Sequence, residues 1–113
     1  MKRLLIAATL ASFAFAAQAA DVNKGQELVA KGNCAACHGE GLNKPVAPEY
    51  PKLAGQHADY LFHALKAYKT VNHPNVGRNN AIMAGQVAAL SNKDLQDIAA
   101  YISSLPGTLV MKK

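Results

Sequence analysis

The chain has 113 residues, a formal net charge of +5, an aromatic content of 6% and no tryptophan. This length is that of one small domain. The basic residues are scattered along the sequence and few aromatic side chains accompany them, which argues against a nucleic-acid-binding surface. We interpret the positive charge as solvated surface that helps to steer acidic partners.

The first 19 residues have the composition of a secretory signal peptide. Lys2 and Arg3 form a positively charged start, residues 4–17 are apolar, and 17–19 have the small-residue cleavage pattern A-x-A. The apolar run is shorter than the ~20 residues that a membrane-spanning helix needs. We therefore predict export, cleavage, no stable membrane insertion afterwards, and one mature domain over 20–113. An uncleaved membrane anchor is the alternative.

A first helix is predicted over 21–31. Asp21 is a suitable N-terminal cap, and Gly32-Asn33 is a typical helix end. Gly25 lies inside this helix, where a glycine costs about 1 kcal/mol relative to alanine. Close packing against another element explains such a glycine better than flexibility does.

The motif Cys34-Ala35-Ala36-Cys37-His38 follows this helix directly. Two thiols at this spacing can each add to one vinyl group of a haem, and the histidine that follows can bind the iron, so the motif predicts covalent haem. Half of a zinc site, a thioredoxin-like redox pair and a plain disulfide are the alternatives. The chain has no further cysteine for a zinc site and no convincing strand beside the motif for a thioredoxin-like redox pair. None of the three alternatives explains His38.

The rest of the chain is predicted to be helix and loop. Residues 39–51 are rich in glycine and proline and indicate a loop. Apolar residues at helical spacing predict a second helix over 57–69, and 70–80 is again loop. Ser91 and Asp94 form a capping-box signature for a last helix, which the Pro106-Gly107 pair ends. At least three helices and no confident strand give an all-α fold class.

A haem iron bound by His38 needs a candidate ligand on its opposite face. Met83 follows a Gly/Asn-rich loop that can fold over this face, and it is our preferred axial ligand. His73 in the same loop is the best histidine alternative, and Met111 is the weaker methionine. His57 and His63 lie on or beside the second helix and are better explained as surface or haem-edge residues.

With these motifs, the sequence resembles the class I cytochromes c, in the group of small periplasmic bacterial proteins. The run 51–57 is especially similar to one half of the diheme periplasmic cytochromes of proteobacteria. Only one haem motif is present, so this chain would carry one haem c. The matching pieces are Gly25-x-x-Leu28-Val29, Cys34 to His38, Pro51-x-Leu53, Gly77-Arg78-Asn79-Asn80-x-x-Met83, and Asp97 to Ile102.

The resemblance implies the cytochrome c fold and a role for each haem residue. Cys34 and Cys37 would carry the thioethers, with His38 as the proximal and Met83 as the distal iron ligand. The backbone carbonyl of Pro51 would accept the second ring N–H of His38.

The resemblance also implies contacts for residues other than the cysteines, the iron ligands and Pro51. Arg78 would pair with a haem propionate, although a solvated loop arginine has the same sequence signature. Tyr68 would reach Met83 or a propionate, with a core tyrosine as the plainer interpretation. Gly25 would pack against Tyr101, where the first and last helices cross.

The function expected from these residues is one-electron transport in the periplasm, without enzymatic activity. The partners would be a quinol-oxidising complex and a terminal oxidase or reductase, bound transiently, and the chain could also form a weak homodimer. One alternative is a haem protein with an open distal face that binds gases or peroxide. Another is a cytochrome subunit dedicated to one dehydrogenase.

Overall fold

The computed structural model describes residues 9–12, 19–70, 73 and 75–108. Most of the predicted signal peptide lies outside these ranges. The described chain is helical without β-strands, which confirms the all-α class, and none of its helices is long and apolar enough to span a bilayer. The elements are α1 (Val22–Lys31), α2 (Ala35–His38), a 3₁₀ turn (Glu40–Leu42), α3 (Ala58–Ala67), α4 (Ala81–Val87) and α5 (Asn92–Ser104).

The ends of α1 follow the sequence signals. The Asp21 side chain accepts a hydrogen bond from the Lys24 N–H, and the helix ends at Gly32. The apolar positions are not equivalent, because Val29 is buried whereas Val22 is 43% exposed. Only the later part of α1 therefore contributes to the core, next to the haem motif.

Helix α5 is the longest element of the described residues and forms one wall of the core. Its N-terminus has the full capping box, in which Ser91 and Asp94 each bond the other's backbone N–H. Its buried apolar residues lie at helical spacing and pack against α1 and α3. The core cluster consists of Val29, Leu42, Leu61, Ile98, Ala99 and Ile102.

The crossing of α1 and α5 explains the glycine inside α1. A methyl group on Gly25 would overlap the backbone carbonyl of Asp97 and would lie 2.8 Å from the Cβ atom of Tyr101. The predicted packing of Gly25 against Tyr101 is confirmed. The two helices approach so closely that only a hydrogen atom fits between their backbones.

A buried carboxylate also ties α5 to the start of α1. Asp97 is 2% exposed, and its Oδ1 atom accepts the Asp21 backbone N–H at 2.8 Å and pairs with the Lys93 ammonium. Burial raises the pKa of Asp97, but the Asp21 N–H and the Lys93 charge outweigh it, so the pKa of Asp97 lies below its usual value. The ionised carboxylate therefore stabilises the fold.

Replacing Asp97 by asparagine should destabilise the folded protein by about 1–3 kcal/mol at pH 7, the usual range for hydrogen bonds to a charged group. Because the folded-state pKa is lowered, this contribution is present above the unfolded-state pKa of about 4 and is lost as the pH falls through the folded-state value. Denaturant unfolding at pH 7 and at pH 3 would measure the difference. Asp59→Asn, at an exposed carboxylate, is the control. An equal Asp97→Asn effect at both pH values would contradict this role.

Two short helical segments were not predicted, one inside a predicted loop and one directly after another. The loop 39–51 holds the 3₁₀ turn, and α4 begins at the residue after the predicted loop 70–80. Asn80 caps α4 by accepting the Met83 backbone N–H at 2.9 Å, and Val87 is the buried residue of the helix. With only seven residues and an internal glycine, Gly85, α4 has too weak a periodic pattern to be recognised from its apolar spacing. The predicted second helix is confirmed with shorter bounds.

Candidate functional site

The end of α1 places the two cysteines and the histidine beside the core. After Gly32 the chain turns at Asn33, whose φ of 51° is in the left-handed region that asparagine tolerates. The motif then forms α2, in which the His38 N–H donates to the Cys34 carbonyl at 3.1 Å. In this single turn both thiols are half-buried and the histidine is fully buried.

The ring of His38 is 6% exposed, and its orientation is fixed by one hydrogen bond. Its Nδ1 atom lies 2.8 Å from the backbone carbonyl oxygen of Pro51. Because a carbonyl only accepts, Nδ1 carries the proton and Nε2 keeps the lone pair that can bind a metal. The predicted bond to Pro51 is confirmed.

Tyr50 lies beside His38 and Cys37 of the haem motif. Its ring packs edge-on against His38 with 6.4 Å between centroids, and the adjacent Cys37 raises the pKa of Tyr50. This residue was not predicted from the sequence. Its position immediately before Pro51 brings its backbone near His38 but does not determine where its ring packs.

Both cysteines are free thiols. Burial raises the pKa of the Cys34 thiol, so this sulfur stays protonated at neutral pH. A groove of about 480 Å³ borders the same region and is lined by residues 45–48 and 50–52. Reduced, half-buried thiols at this turn are available for covalent attachment of a cofactor.

Met83 lies half-buried in α4, a different element from the motif. Its backbone is held by the Asn80 cap, which the sequence analysis did not identify. An asparagine three residues before an apolar helix position is a common capping signal, and here it could have located both α4 and its cap.

Arg78 contacts two tyrosines of the α3 segment. One guanidinium nitrogen donates to the Tyr60 hydroxyl at 2.9 Å, and the guanidinium carbon lies 5.6 Å from the ring centroids of both Tyr60 and Tyr68. Hydrogen bonding to Tyr60 is the main cause that raises the pKa of Arg78. These contacts place Arg78 and Tyr68 together, and the propionate roles of both residues remain predictions.

Among the described residues, the other candidate axial ligands make no hydrogen bond to the haem motif, residues 34–38. His57 and His63 are exposed at the start and on the outer side of α3, where His63 packs against Phe62. His73 is exposed, and its Nδ1 atom accepts the Asn75 N–H at 3.3 Å. Met111 lies outside the described residues.

Comparison with known proteins identifies the family. The cytochrome c family profile matches residues 22–106. Cytochrome c4 of Stutzerimonas stutzeri is 44% identical over 89% of this chain and 49% of its own length, so the chain spans about half of that relative. Cytochrome c-554(548) of Halomonas halodenitrificans is 42% identical over 76% of this chain and 98% of its own length.

A solved structure and a second kind of relative extend the comparison. The crystal structure of reduced cytochrome c4 from Pseudomonas stutzeri superposes with a TM-score of 0.69 at 42% identity, covering 80% of this chain and 48% of that one. A protein of Thiomonas intermedia named thiosulfate dehydrogenase electron acceptor is 35% identical over 93% of this chain and 45% of its own length. With this fold, and with a paired-thiol motif whose histidine keeps one ring nitrogen free, the chain belongs to the cytochrome c family, whose members bind haem c covalently.

Proposed function

We propose that the chain is a periplasmic carrier of single electrons, with haem c held by Cys34 and Cys37 and ligated by His38 and Met83. The observation that carries this proposal is the buried His38 ring, whose Nδ1–H points at the Pro51 carbonyl. Metal-binding histidines usually donate their second ring N–H in this way, which fixes the ring and makes the ligating nitrogen more basic.

Attachment would be an addition of each thiol to one vinyl group of the haem. A carbon–sulfur bond forms, the vinyl double bond becomes a single bond, and the thiol hydrogen passes to the other vinyl carbon. No electrons would be gained or lost overall, so the addition would consume no oxidant, and it would require both cysteines as thiols rather than as a disulfide. The two free thiols, at the N-cap of α2 and within this helix, support this assignment.

Replacing Cys37 by serine should weaken or abolish covalent haem retention, because one thioether can no longer form. The Cys34→Ser/Cys37→Ser double variant should release all haem on denaturation. Acidic solvent extraction, followed by gel staining for bound haem, would measure retention. Ala36→Ser, which adds a hydroxyl at the exposed position between the cysteines, is the matched control. Complete retention in the double variant would contradict attachment through these cysteines.

The residues support electron transfer rather than catalysis. Haem c supplies one-electron chemistry when bound, and methionine opposite histidine raises its reduction potential. His38 and Met83 would fill both axial positions, which leaves no iron position for a substrate. The Pro51 bond and the Asn80 cap hold the two ligand segments in place, so the protein need not rearrange when the oxidation state changes.

We propose as partners a quinol-oxidising complex and a terminal oxidase or reductase. Docking would be transient with a small interface, and the basic surface would steer acidic partners. The relative named as a dehydrogenase electron acceptor favours a second candidate, a cytochrome that serves one dehydrogenase. A signal peptide over residues 1–19, cleaved on export, and a weak homodimer complete the proposal.

The experiment that tests the carrier function is rapid mixing of the purified holoprotein with membranes that contain a quinol-oxidising complex, followed by an oxidase. We expect one electron to be taken up and released per haem. We also expect little reaction with carbon monoxide or peroxide. Rapid carbon monoxide binding by the unaltered protein would favour the open-distal-face alternative, and a tightly co-purifying dehydrogenase would favour the dedicated subunit.

A further inference from the structure

The segment that bears Met83 is attached to the core mainly at its far end. Val87 is the buried residue of α4, whereas Ala81 and Ile82 beside Met83 are exposed. Ile82 alone is 58% exposed. Packing against the protein core therefore fixes the Val87 end of α4 more than the end that carries the proposed ligand.

Contacts with the α3 segment hold the chain that leads into this half of α4. The Arg78 backbone N–H donates to the Ala67 carbonyl at 2.9 Å, at the end of α3. Its guanidinium lies against Tyr60 and Tyr68 and donates to the Tyr60 hydroxyl. We name Tyr60, Tyr68 and Arg78 the arginine clasp. Gly77, with a φ of 98°, makes the turn that presents Arg78, and a Cβ atom there would overlap the Thr70 carbonyl.

The clasp is linked to Met83 through a short stretch of backbone. Two residues after Arg78, the Asn80 side chain accepts the Met83 N–H at 2.9 Å. A shift of Arg78 away from the tyrosines would move this cap and, with it, the backbone of Met83. The clasp and the cap thus form one continuous path from α3 to the proposed ligand.

We propose that Arg78 is a positioning residue, which holds Met83 in place through Tyr60 and Tyr68. This inference rests on the proposed ligation by Met83. It assigns the Arg78 side chain a role that depends on the tyrosine contacts, whereas a propionate partner would depend on its charge. Loss of the clasp would favour states in which Met83 has left the iron, because those states do not need the segment to be fixed.

The test is displacement of Met83 by imidazole in the oxidised holoprotein. The methionine–iron charge-transfer band reports how much Met83 is bound. Tyr60→Phe removes only the hydroxyl that Arg78 contacts, and we expect it to raise imidazole affinity about two- to tenfold, as loss of one hydrogen bond should. Arg78→Lys keeps the charge but loses the planar fork, and a similar rise is expected. Arg78→Leu should raise affinity about tenfold or more.

Two controls show whether a rise in imidazole affinity is specific to the clasp. Tyr101→Phe, which removes a tyrosine hydroxyl on α5, should leave imidazole affinity unchanged, and denaturant unfolding should show that Tyr60→Phe remains fully folded under the conditions of the imidazole titration. Unchanged affinity in both Tyr60→Phe and Arg78→Lys, with the band present in the parent protein, would overturn the clasp but not the ligation. A parent protein without the band would overturn Met83 ligation and the clasp together.

Discussion

Replacing Met83 by alanine should leave the haem covalently attached and open its distal face. The thiols that hold the cofactor lie at the N-cap of α2 and within it, whereas Met83 lies on α4, so attachment and distal ligation are separable. The methionine–iron charge-transfer band should be lost completely. The reduced form should gain carbon monoxide binding, and the reduction potential should fall by on the order of 0.1 V or more, within the ~0.8 V that axial ligands span.

Ile82→Ala is the matched control for this variant. It truncates the exposed neighbour of Met83 in the same helix and should keep both the band and the potential. Optical spectra with and without carbon monoxide would compare the two proteins. A Met83→Ala protein with the spectrum and ligand reactivity of the parent would show that another residue is the distal ligand.

Replacing Gly25 by alanine should destabilise the fold, against the usual preference of helices for alanine. Helix propensity favours the alanine by about 1 kcal/mol. The added methyl would overlap the Asp97 backbone carbonyl, and neither that carbonyl nor the Cβ atom of Tyr101 can rotate away. Helices α1 and α5 must therefore move apart, which costs about 1–3 kcal/mol or more beyond the propensity gain.

Gln26, an exposed residue of α1, provides the reference for the effect of helix propensity alone. Gln26→Ala and Gln26→Gly together measure the alanine–glycine difference in α1 without any packing, and alanine should be the more stable of the two. Denaturant unfolding of the holoprotein would give all the free energies. A Gly25→Ala protein as stable as the parent would mean that the helices do not cross this closely in solution.

The elements that the sequence predicted well are those with local signals. The caps Asp21 and Ser91 and the apolar spacing of α5 depend on neighbouring residues, so α1 and α5 could be located before the structure was known. The haem motif is also local, because the spacing of Cys34, Cys37 and His38 is itself the chemical requirement.

The features that were missed depend on contacts between distant segments. The burial of Asp97 follows from the close crossing at Gly25, and nothing in its neighbours distinguishes it from a surface carboxylate. The tyrosine partners of Arg78 lie in α3 and at its C-terminal cap, whereas the sequence suggested only a haem propionate or solvent as partners. The packing of Tyr50 on His38 likewise requires the path of the loop between them.

The central claim is that His38 and Met83 hold a haem that exchanges one electron reversibly. The most direct test is an optical redox titration of the holoprotein produced with its own residues 1–19. We predict a single reversible one-electron transition at high potential, with the methionine–iron charge-transfer band in the oxidised form. A low potential, or a high-spin spectrum that shifts when carbon monoxide is added, would contradict the carrier function and identify a ligand-binding or catalytic haem protein.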